Sequence, residues 1–389
     1  MKGFQYAGIS AGIKKNNVKD LGLIYSNFPA TAAALFTKNE IKAAPVILGM
    51  EKIKSGKCQA VLVNSGNANC FTGKKGMNDA IFCARKVAST FQISEDLVQV
   101  MSTGVIGSPL PLDKFETGIP HLINHLNEEN LADFAEAILT TDTRKKIVSF
   151  SGIVKNKPYS IAGIAKGSGM IRPDMATVLA FILTDVKISD KHLHHALTLS
   201  NEKSFSRMTI DGDTSTNDTL IALANETAGV EINDTDSMGI FQNALDSVCF
   251  DLAKKLVKDG EGATKLVQII VKGARTSKDA FKACDTIAHS NLVKTAIYGE
   301  DPNWGRIAAA AGRSGAFVVP EKIDLWFDDR LLVKKGTWLG ESVEAKVAEQ
   351  LKKDEILITL DLNNGSFEDR FLFCDFSENY IRINADYRT

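Results

Sequence analysis

Short apolar runs that end in polar, glycine-rich segments recur along the whole chain. Ala-Val-Leu-Val at residues 60–63 runs into Asn-Ser-Gly-Asn-Ala-Asn at 64–69, and Val-Gln-Val-Met at 98–101 runs into Ser-Thr-Gly-Val-Ile-Gly at 102–107. Loops at the ends of strands often carry binding and catalytic residues. Stretches with helical spacing, such as residues 78–91 and 190–204, lie between these runs. Alternating strands and helices without a repeat or a long linker predict a tightly packed, layered α+β fold.

Length and charge narrow the class of protein. The 389 residues fit two domains or one large composite domain. Lys and Arg total 46 and Asp and Glu total 47, so the formal net charge is -1. A near-neutral chain lacks the electrostatic footprint of a protein that binds nucleic acid or an anionic membrane. With no signal-peptide core at the start and no apolar run of about 18 residues, we expect a cytoplasmic protein.

The cysteine and histidine patterns do not predict a metal site or a disulfide framework. None of the six cysteines forms a Cys-x-x-Cys pair, and their sparse spacing favours reduced, buried thiols. His192, His194 and His195 fall in the predicted helix at 190–204. We expect them on a solvated face, because no acidic residue or cysteine completes a set of metal ligands. No cofactor is expected.

Standard catalytic motifs are absent from the polar segments. Gly-Ser-Gly at 167–169 lacks the lysine and the spacing of a phosphate loop. The segment that begins at Asp211 starts like a calcium loop, but Thr216 replaces the required glycine and Ala222 the required glutamate. No Gly-x-Ser-x-Gly elbow occurs. Six polar clusters beside apolar strands remain, which is more than simple turns would explain.

One of these clusters carries a resemblance to a known family. Lys-Gly-Ser-Gly-Met-Ile-Arg-Pro-Asp-Met-Ala-Thr at 166–177 strongly resembles the cleavage signature of the ornithine acetyltransferases, also called glutamate N-acetyltransferases. Residues 64–69, 102–107, 211–218, 299–306 and 384–389 resemble further motifs of that family, in the expected order, so the resemblance covers essentially the whole chain. Two positions stand out: Asp174 replaces a frequent asparagine, and Arg172 occupies a variable position.

The resemblance implies a fold, an assembly and a reaction. The fold is of the N-terminal-nucleophile type that the family shares with self-processing aminopeptidases. The chain is expected to be cut into an α piece, residues 1–176, and a β piece, residues 177–389, which co-fold into a heterotetramer of two α and two β pieces. The reaction moves acetyl from N2-acetylornithine to glutamate in arginine biosynthesis. Some members also use acetyl-CoA, and no motif of this sequence decides whether this chain does.

Thr177 suits both the cleavage and the transfer. If the chain breaks between Ala176 and Thr177, the new α-amine has an ordinary pKa of about 7.7–8.0 and is partly neutral near pH 7. It can therefore take the proton of the Thr177 hydroxyl, so that no separate histidine is needed. The acetyl group would rest on Thr177 while ornithine leaves and glutamate enters, which predicts ping-pong kinetics.

The resemblance also implies the other site residues. The Thr103 hydroxyl and the Gly104 amide are expected to bind the oxyanion. Lys166 suits a carboxylate and Glu261 an ammonium group. One threonine of the 140–141 pair contacts substrate; Thr140 is favoured, although the register stays open. The expected substrate-binding residues are Thr140, Lys166, Thr177, Glu261, Asn384 and Thr389. We expect the apolar residues of 380–383 to form a docked strand that positions Asn384 and Thr389.

Two other functions remain open at this stage. A hydrolase on the same scaffold would pass the acyl group to water, and comparing products with and without glutamate would distinguish it. A non-enzymatic amino-acid-binding protein would run as a single uncut band on a denaturing gel. The Ala-Thr bond at 176–177 and the oxyanion candidates argue against this second alternative.

Overall fold

A computed structural model describes residues 1–172 and 178–386 of the chain. The chain divides into two compact units. The first unit comprises Met1–Ser206 and Asp213–Leu252, and the second comprises Arg207–Gly212 and Ala253–Thr389.

Strands and helices alternate through both units. In chain order the strands are β1 Phe4–Ile9, β2 Leu21–Phe36, β3 Lys57–Asn67, β4 Val98–Val105, β5 Lys146–Val154, β6 Lys157–Lys166, β7 Leu179–Thr184, β8 Lys187–Ile188, β9 Met208–Thr209, β10 Thr219–Ala224, β11 Glu231–Ile232, β12 Leu266–Ala274, β13 Asp324–Phe327, β14 Arg330–Lys334, β15 Thr337–Trp338, β16 Glu355–Asp361 and β17 Phe367–Cys374. The helices are α1 Ala44–Lys52, α2 Gly73–Phe91, α3 Leu112–Asn124, α4 Leu131–Ala137, α5 Asp190–Lys203, α6 Thr235–Lys258, α7 Ser277–Ala288, α8 Asn291–Tyr298, α9 Trp304–Gly312, α10 Glu341–Leu351 and α11 Glu378–Ala385. The predicted α+β class is confirmed.

The first unit is built on one large mixed sheet. Its strands run in the order β4-β3-β2-β10-β7-β6-β5, and β1 also pairs with β2. The long strand β2 pairs with β1 through residues 21–26 and with β10 through residues 31–36. Successive side chains of a strand point to opposite faces of the sheet. Here both sets are apolar, so each face of the sheet packs against helices. On β3, Leu62 packs in a cluster with Val87 and Phe115 of α2 and α3, whereas Val61 packs in a cluster with Phe134 of α4.

Strands from both sides of the predicted cleavage point interleave in this sheet. β6 pairs antiparallel with β7, so that Lys166 lies opposite Leu179. β7 pairs parallel with β10, which in turn pairs with β2. β2 and β6 precede residue 177, and β7 and β10 follow it. Backbone hydrogen bonds therefore link residues on the two sides of this point at several places in one sheet.

The second unit has its own sheet and core. Its strands run in the order β15-β14-β13-β16-β12-β17-β9. Ile269 of β12 and Ile358 of β16 pack in one buried cluster with Ala283 and Ile287 of α7. Each unit thus buries an apolar core of its own.

Several expectations about side chains are confirmed. All six cysteines are free and buried. His192, His194 and His195 are exposed on α5.

Within residues 1–172 and 178–386, no helix has the length and apolar character needed to cross a membrane.

Candidate functional site

Thr103 and Gly104 lie near the end of β4, beside the end of β3. Gly66 of β3 pairs with Gly104. Gly104 has a φ of +133°, and a Cβ atom there would lie 2.4 Å from the carbonyl carbon of Gly66 and 2.5 Å from the nitrogen of Asn67. Only glycine allows two backbones to approach this closely. The glycine of the Ser-Thr-Gly segment is therefore required by the packing of the two strands.

A buried network of amide side chains holds this strand end in place. Asn64 accepts a hydrogen bond from the Ser102 hydroxyl at 2.6 Å and donates one to the Asn67 carbonyl at 2.8 Å. Asn217 donates to the carbonyls of Ser102 and Ala68 at 2.8 and 2.7 Å. Three segments that carry the family resemblance, 64–69, 102–107 and 211–218, thus meet in one network. Asn64 and Asn217 were not predicted as site residues, although their motifs carried the signal.

Lys166, the last residue of β6, joins two predicted site residues. Its ammonium group donates to Thr140 Oγ1 at 2.8 Å and to Thr103 Oγ1 at 3.3 Å. The Lys166 side chain is only 6% exposed, so it does not belong to the solvated surface. Thr141 instead shares a 2.7 Å hydrogen bond with Ser168. Of the threonine pair, Thr140 is the one whose hydroxyl contacts Lys166.

Asp142 is a buried anion that sequence reasoning did not identify. Its carboxylate accepts hydrogen bonds from the ammonium of Lys146 and the amide of Gly167, both at 2.6 Å, and from the amide of Thr140 at 3.1 Å. Burial alone would raise the pKa of this carboxyl. The positive charges of Lys166 and Lys146, together with these hydrogen bonds, outweigh burial and lower its pKa to about 2. Asp142 therefore stays ionised and fixes the loop that carries Thr140.

Asp218 is a second buried carboxyl, and its pKa is shifted in the direction opposite to that of Asp142. Its side chain lies at the amide of Val178, the residue that follows Thr177 in the chain. Among the described residues, no donor reaches its Oδ2 atom. Burial raises the pKa of Asp218 well above its usual range, because Lys166 and the nearby donors compensate only in part. Asp218 therefore keeps its proton to a higher pH than an exposed carboxyl does.

In the second unit, Glu261 and Asn384 contact each other. Asn384 Nδ2 donates to Glu261 Oε2 at 2.8 Å and to the Tyr380 carbonyl at 3.0 Å. Glu261 is buried, and Asn384 is exposed. The Tyr380 hydroxyl donates to Asp211 Oδ2 at 3.3 Å. The two predicted residues are thus held together by contacts at the C-terminal end of the chain.

The predicted docked strand in this region is wrong, because Glu378–Ala385 forms helix α11. Helical spacing places Tyr380 and Asn384 on the same face, four residues apart. Ile381 is 60% exposed and Ile383 is 37% exposed, so neither anchors a strand. An apolar pattern over only four residues fits both the two-residue period of a strand and the 3.6-residue period of a helix.

Three predicted site residues, Ala176, Thr177 and Thr389, lie outside the described residues, as does Asp174. Among the residues that are described, no three His, Cys, Asp or Glu side chains converge in a way that would hold a metal ion.

Sequence comparisons with known proteins extend over nearly the whole chain. The sequence model of the ArgJ family matches residues 5–389. The chain is 48% identical to the arginine biosynthesis bifunctional protein ArgJ of Geobacter sulfurreducens, with 100% of each chain covered. It is 46% identical to a glutamate N-acetyltransferase of Methanocaldococcus jannaschii, with 98% of each covered. A crystal structure of an ArgJ chain from Bacillus halodurans is 40% identical and aligns with a TM-score of 0.51, covering 53% of this chain and 97% of that one.

Proposed function

Because the chain belongs to the ArgJ family of acyltransferases, we propose that it moves acetyl from N2-acetylornithine to glutamate through an ester on Thr177. The observation that carries the proposal is the position of Lys166. Its ammonium contacts both Thr103, an oxyanion candidate, and Thr140, a substrate-binding candidate. A cation suited to a carboxylate, in contact with a hydroxyl suited to a developing oxyanion, supports this chemistry.

The nucleophile is made by autocleavage between Ala176 and Thr177. The Thr177 hydroxyl attacks the carbonyl carbon of Ala176, the peptide C–N bond breaks, and water hydrolyses the resulting ester. The released α-amine of Thr177 is then the base for later steps. The interleaved strands support this step, because β6 and β7 stay hydrogen-bonded when the chain between them is cut. The pieces 1–176 and 177–389 therefore remain one folded entity, and two such pairs form the heterotetramer.

The transfer then proceeds in two half-reactions. In the first, Thr177 Oγ1 attacks the acetyl carbon of N2-acetylornithine, and the α-amine takes the hydroxyl proton. The proton passes to the leaving nitrogen as its bond to carbon breaks, and ornithine departs. In the second, the α-amine of glutamate attacks the acetyl ester, and Thr177 regains its proton. The products are N-acetylglutamate and the free enzyme.

Thr103 and Gly104 stabilise the tetrahedral oxyanion of each step. Thr103 accepts a hydrogen bond from Lys166, so its own hydrogen remains available for the oxyanion. The Gly104 backbone comes close to its neighbour because it has no side chain. Removing one donor of this kind lowers kcat by about 10²–10³, or about 2.7–4 kcal/mol.

The substrate-binding roles follow the family resemblance. Lys166 binds the α-carboxylate, with Thr140 beside it. Glu261 and Asn384 bind the side-chain ammonium of ornithine, and Thr389 contributes its hydroxyl or terminal carboxylate. The contact between Glu261 and Asn384 supports a common role for these two residues.

Acetyl-CoA is the candidate for a second acetyl donor. Relatives that are 43–48% identical are named bifunctional, which supports a second reaction at the same nucleophile. The test is to supply acetyl-CoA and glutamate without N2-acetylornithine. Formation of N-acetylglutamate identifies the second activity, and its absence restricts the enzyme to the recycling reaction.

The experiment for the main proposal combines a gel with product analysis. The purified protein should run as two pieces, and sequencing of the second should begin at Thr177. With glutamate present, N2-acetylornithine should yield N-acetylglutamate and ornithine in equal amounts. Free acetate in place of N-acetylglutamate would identify a hydrolase, and an uncut chain without activity would indicate a binding protein.

A further inference from the structure

We infer that Asp375 and Ser377 are positioning residues for Glu261. They hold the loop that carries Glu261 against α11, and through Glu261 they set the preference for a substrate whose side chain ends in an ammonium group. The inference rests on the proposed function, in which Glu261 and Asn384 bind this ammonium. It adds two residues that lie outside the motifs that carry the family resemblance.

Glu261 is carried by a loop rather than by a helix or a strand. Residues 259–265 join α6 to β12, and Glu261 lies in the turn of this loop. Loops are more mobile than the elements that they connect, so a binding residue on a loop depends on contacts that fix the loop. Such contacts come from residues 375–377, the segment between β17 and α11.

Asp375 holds the part of the loop that leads into β12. Its Oδ1 atom accepts hydrogen bonds from the amides of Thr264 and Lys265 at 2.8 and 2.9 Å. Its Oδ2 atom accepts a third from the Thr264 hydroxyl at 2.6 Å. Asp375 is only 3% exposed, so these bonds are shielded from water. One buried side chain therefore fixes both the backbone and the side chain of Thr264.

Ser377 holds the loop at the residue next to Glu261. Its hydroxyl donates to the Gly262 carbonyl at 2.6 Å. Ser377 is also the N-cap residue of α11, where a serine hydroxyl usually accepts a hydrogen bond from an amide of the first turn. Within the described part of the chain, its side chain makes no such capping bond. The hydroxyl thus serves the loop rather than the helix.

The loop also packs closely against the first turn of α11. Gly262 has a φ of +69°, and a Cβ atom there would lie 2.5 Å from the amide nitrogen of Tyr380. Only glycine allows so close an approach of the two backbones. The carbonyl of Tyr380 accepts from Asn384, whose side-chain amide also reaches Glu261. The loop and the helix therefore meet where the two proposed ammonium-binding residues touch.

This arrangement predicts an effect on specificity as well as on stability. A contact with a substrate depends on geometry, and a misplacement of about 1 Å can cost about 10²-fold in rate. Without Asp375 or Ser377, the loop loses its fixed position, and the contact of Glu261 with a substrate ammonium weakens. A substrate that lacks the ammonium gains nothing from Glu261, so this loss does not affect it.

The test compares two acetyl donors in the full-length, self-cleaved enzyme, N2-acetylornithine and N2-acetylnorvaline, which lacks the terminal amine. The donor preference is the ratio of their kcat/KM values with glutamate as acceptor. Asp375→Ala should lower this preference about tenfold. Ser377→Ala removes a single hydrogen bond and should lower it about threefold. Asp375→Asn should keep most of it, because the amide oxygen still accepts the two backbone amides and Nδ2 can donate to the Thr264 hydroxyl.

Asp328→Ala is the matched control. Asp328 lies in the turn between β13 and β14 of the same unit, and its side chain also accepts a backbone amide, that of Leu357, at 3.0 Å. Its replacement should lower the unfolding temperature and leave the donor preference unchanged. Thermal unfolding of every variant gives the temperatures at which it is folded. If Asp375→Ala does not fold, Ser377→Ala carries the test.

A double variant shows whether the effect passes through Glu261. Glu261→Gln should lower the donor preference, and the addition of Asp375→Ala or Ser377→Ala should lower it no further. A further fall would overturn the inference, as would an equal loss with both donors in the single variants or an unchanged preference in Ser377→Ala.

The controls separate this inference from the proposed function. If Glu261→Gln keeps the wild-type preference, the ammonium-binding role of Glu261 fails together with the inference. If Glu261→Gln loses the preference while the variants at 375 and 377 keep it, only the positioning role fails.

Discussion

The ammonium group of Lys166 donates a hydrogen bond to the hydroxyl oxygen of Thr103 over 3.3 Å. Lys166 ends β6, and Thr103 lies near the end of β4, at residues that are 63 positions apart in the chain. A positive donor polarises the threonine hydroxyl and strengthens the hydrogen bond that this hydroxyl can itself donate. The contact thus couples a cation suited to substrate binding to a group suited to oxyanion stabilisation.

Replacement of Thr103 by valine should remove one oxyanion donor while keeping the shape of the side chain. We expect kcat to fall by about 10²–10³, with a smaller change in KM, because the oxyanion forms only in the transition state. Steady-state kinetics with N2-acetylornithine and glutamate measures the effect. Thr117→Val, at an exposed position of α3, is the control and should leave kcat unchanged. A fall in kcat of less than about threefold in Thr103→Val would exclude the oxyanion role.

Gly104→Ala should destabilise the protein more than Gly107→Ala does. Both glycines have positive φ, +133° and +89°, so both substitutions strain the backbone. A Cβ at Gly104 would also collide with the Gly66 backbone, whereas no atom lies within 4 Å of a Cβ at Gly107. Thermal unfolding of the two variants measures the difference. Equal losses of stability would show that β4 can move away from β3 at no cost.

Asp218→Asn should stabilise the protein relative to wild type, and increasingly so as the pH rises. The folded pKa of Asp218 is raised, so the folded state holds a proton that the unfolded state has released above about pH 4. Wild-type stability from this group therefore falls with rising pH up to the folded pKa, by about 1.4 kcal/mol per pKa unit. Asparagine does not ionise, so the stability of the Asp218→Asn variant does not fall with pH for this reason.

The measurement for Asp218 is the unfolding temperature of both proteins between pH 4 and pH 8. Asp20→Asn is an informative contrast, because the buried Asp20 side chain accepts three amide hydrogen bonds and its replacement should destabilise the protein. A difference between wild type and Asp218→Asn that does not change with pH would show that Asp218 does not take up a proton on folding.

Deletion of residues 386–389 should leave cleavage at Thr177 intact but lower acetyl transfer by about tenfold or more, an effect of roughly 1.4 kcal/mol. Termini usually tolerate truncation, but Asn384 contacts Glu261 immediately before this segment. A C-terminal affinity tag should have a similar effect. Full kcat/KM for N2-acetylornithine in the truncated enzyme would remove Thr389 from the site.

The sequence supplied candidate site residues but not the contacts between them. The resemblance proposed Thr103, Thr140 and Lys166, and the structure brings these three into hydrogen-bond contact. Periodicity predicted most helices and the α+β class. Asp142 was missed because its role depends on the lysines that fold around it. Such pairings join distant parts of the chain and leave no local pattern.

A local pattern also misled in one place. The tail was predicted as a strand, yet α11 forms there, because a four-residue apolar pattern fits both periods.

The most direct test of the central claim is the mass of the β piece after exposure to N2-acetylornithine alone. Without glutamate, the released ornithine is the sole acceptor amine, so with N2-acetylornithine in large excess the acetyl group should accumulate as an ester on Thr177. We expect the β piece to gain the mass of one acetyl group and to lose it when glutamate is added. The Thr177→Ala variant should remain one uncut chain, and the mass of that chain should not increase. A wild-type enzyme that forms N-acetylglutamate at full rate while its β piece never gains this mass would contradict transfer through Thr177.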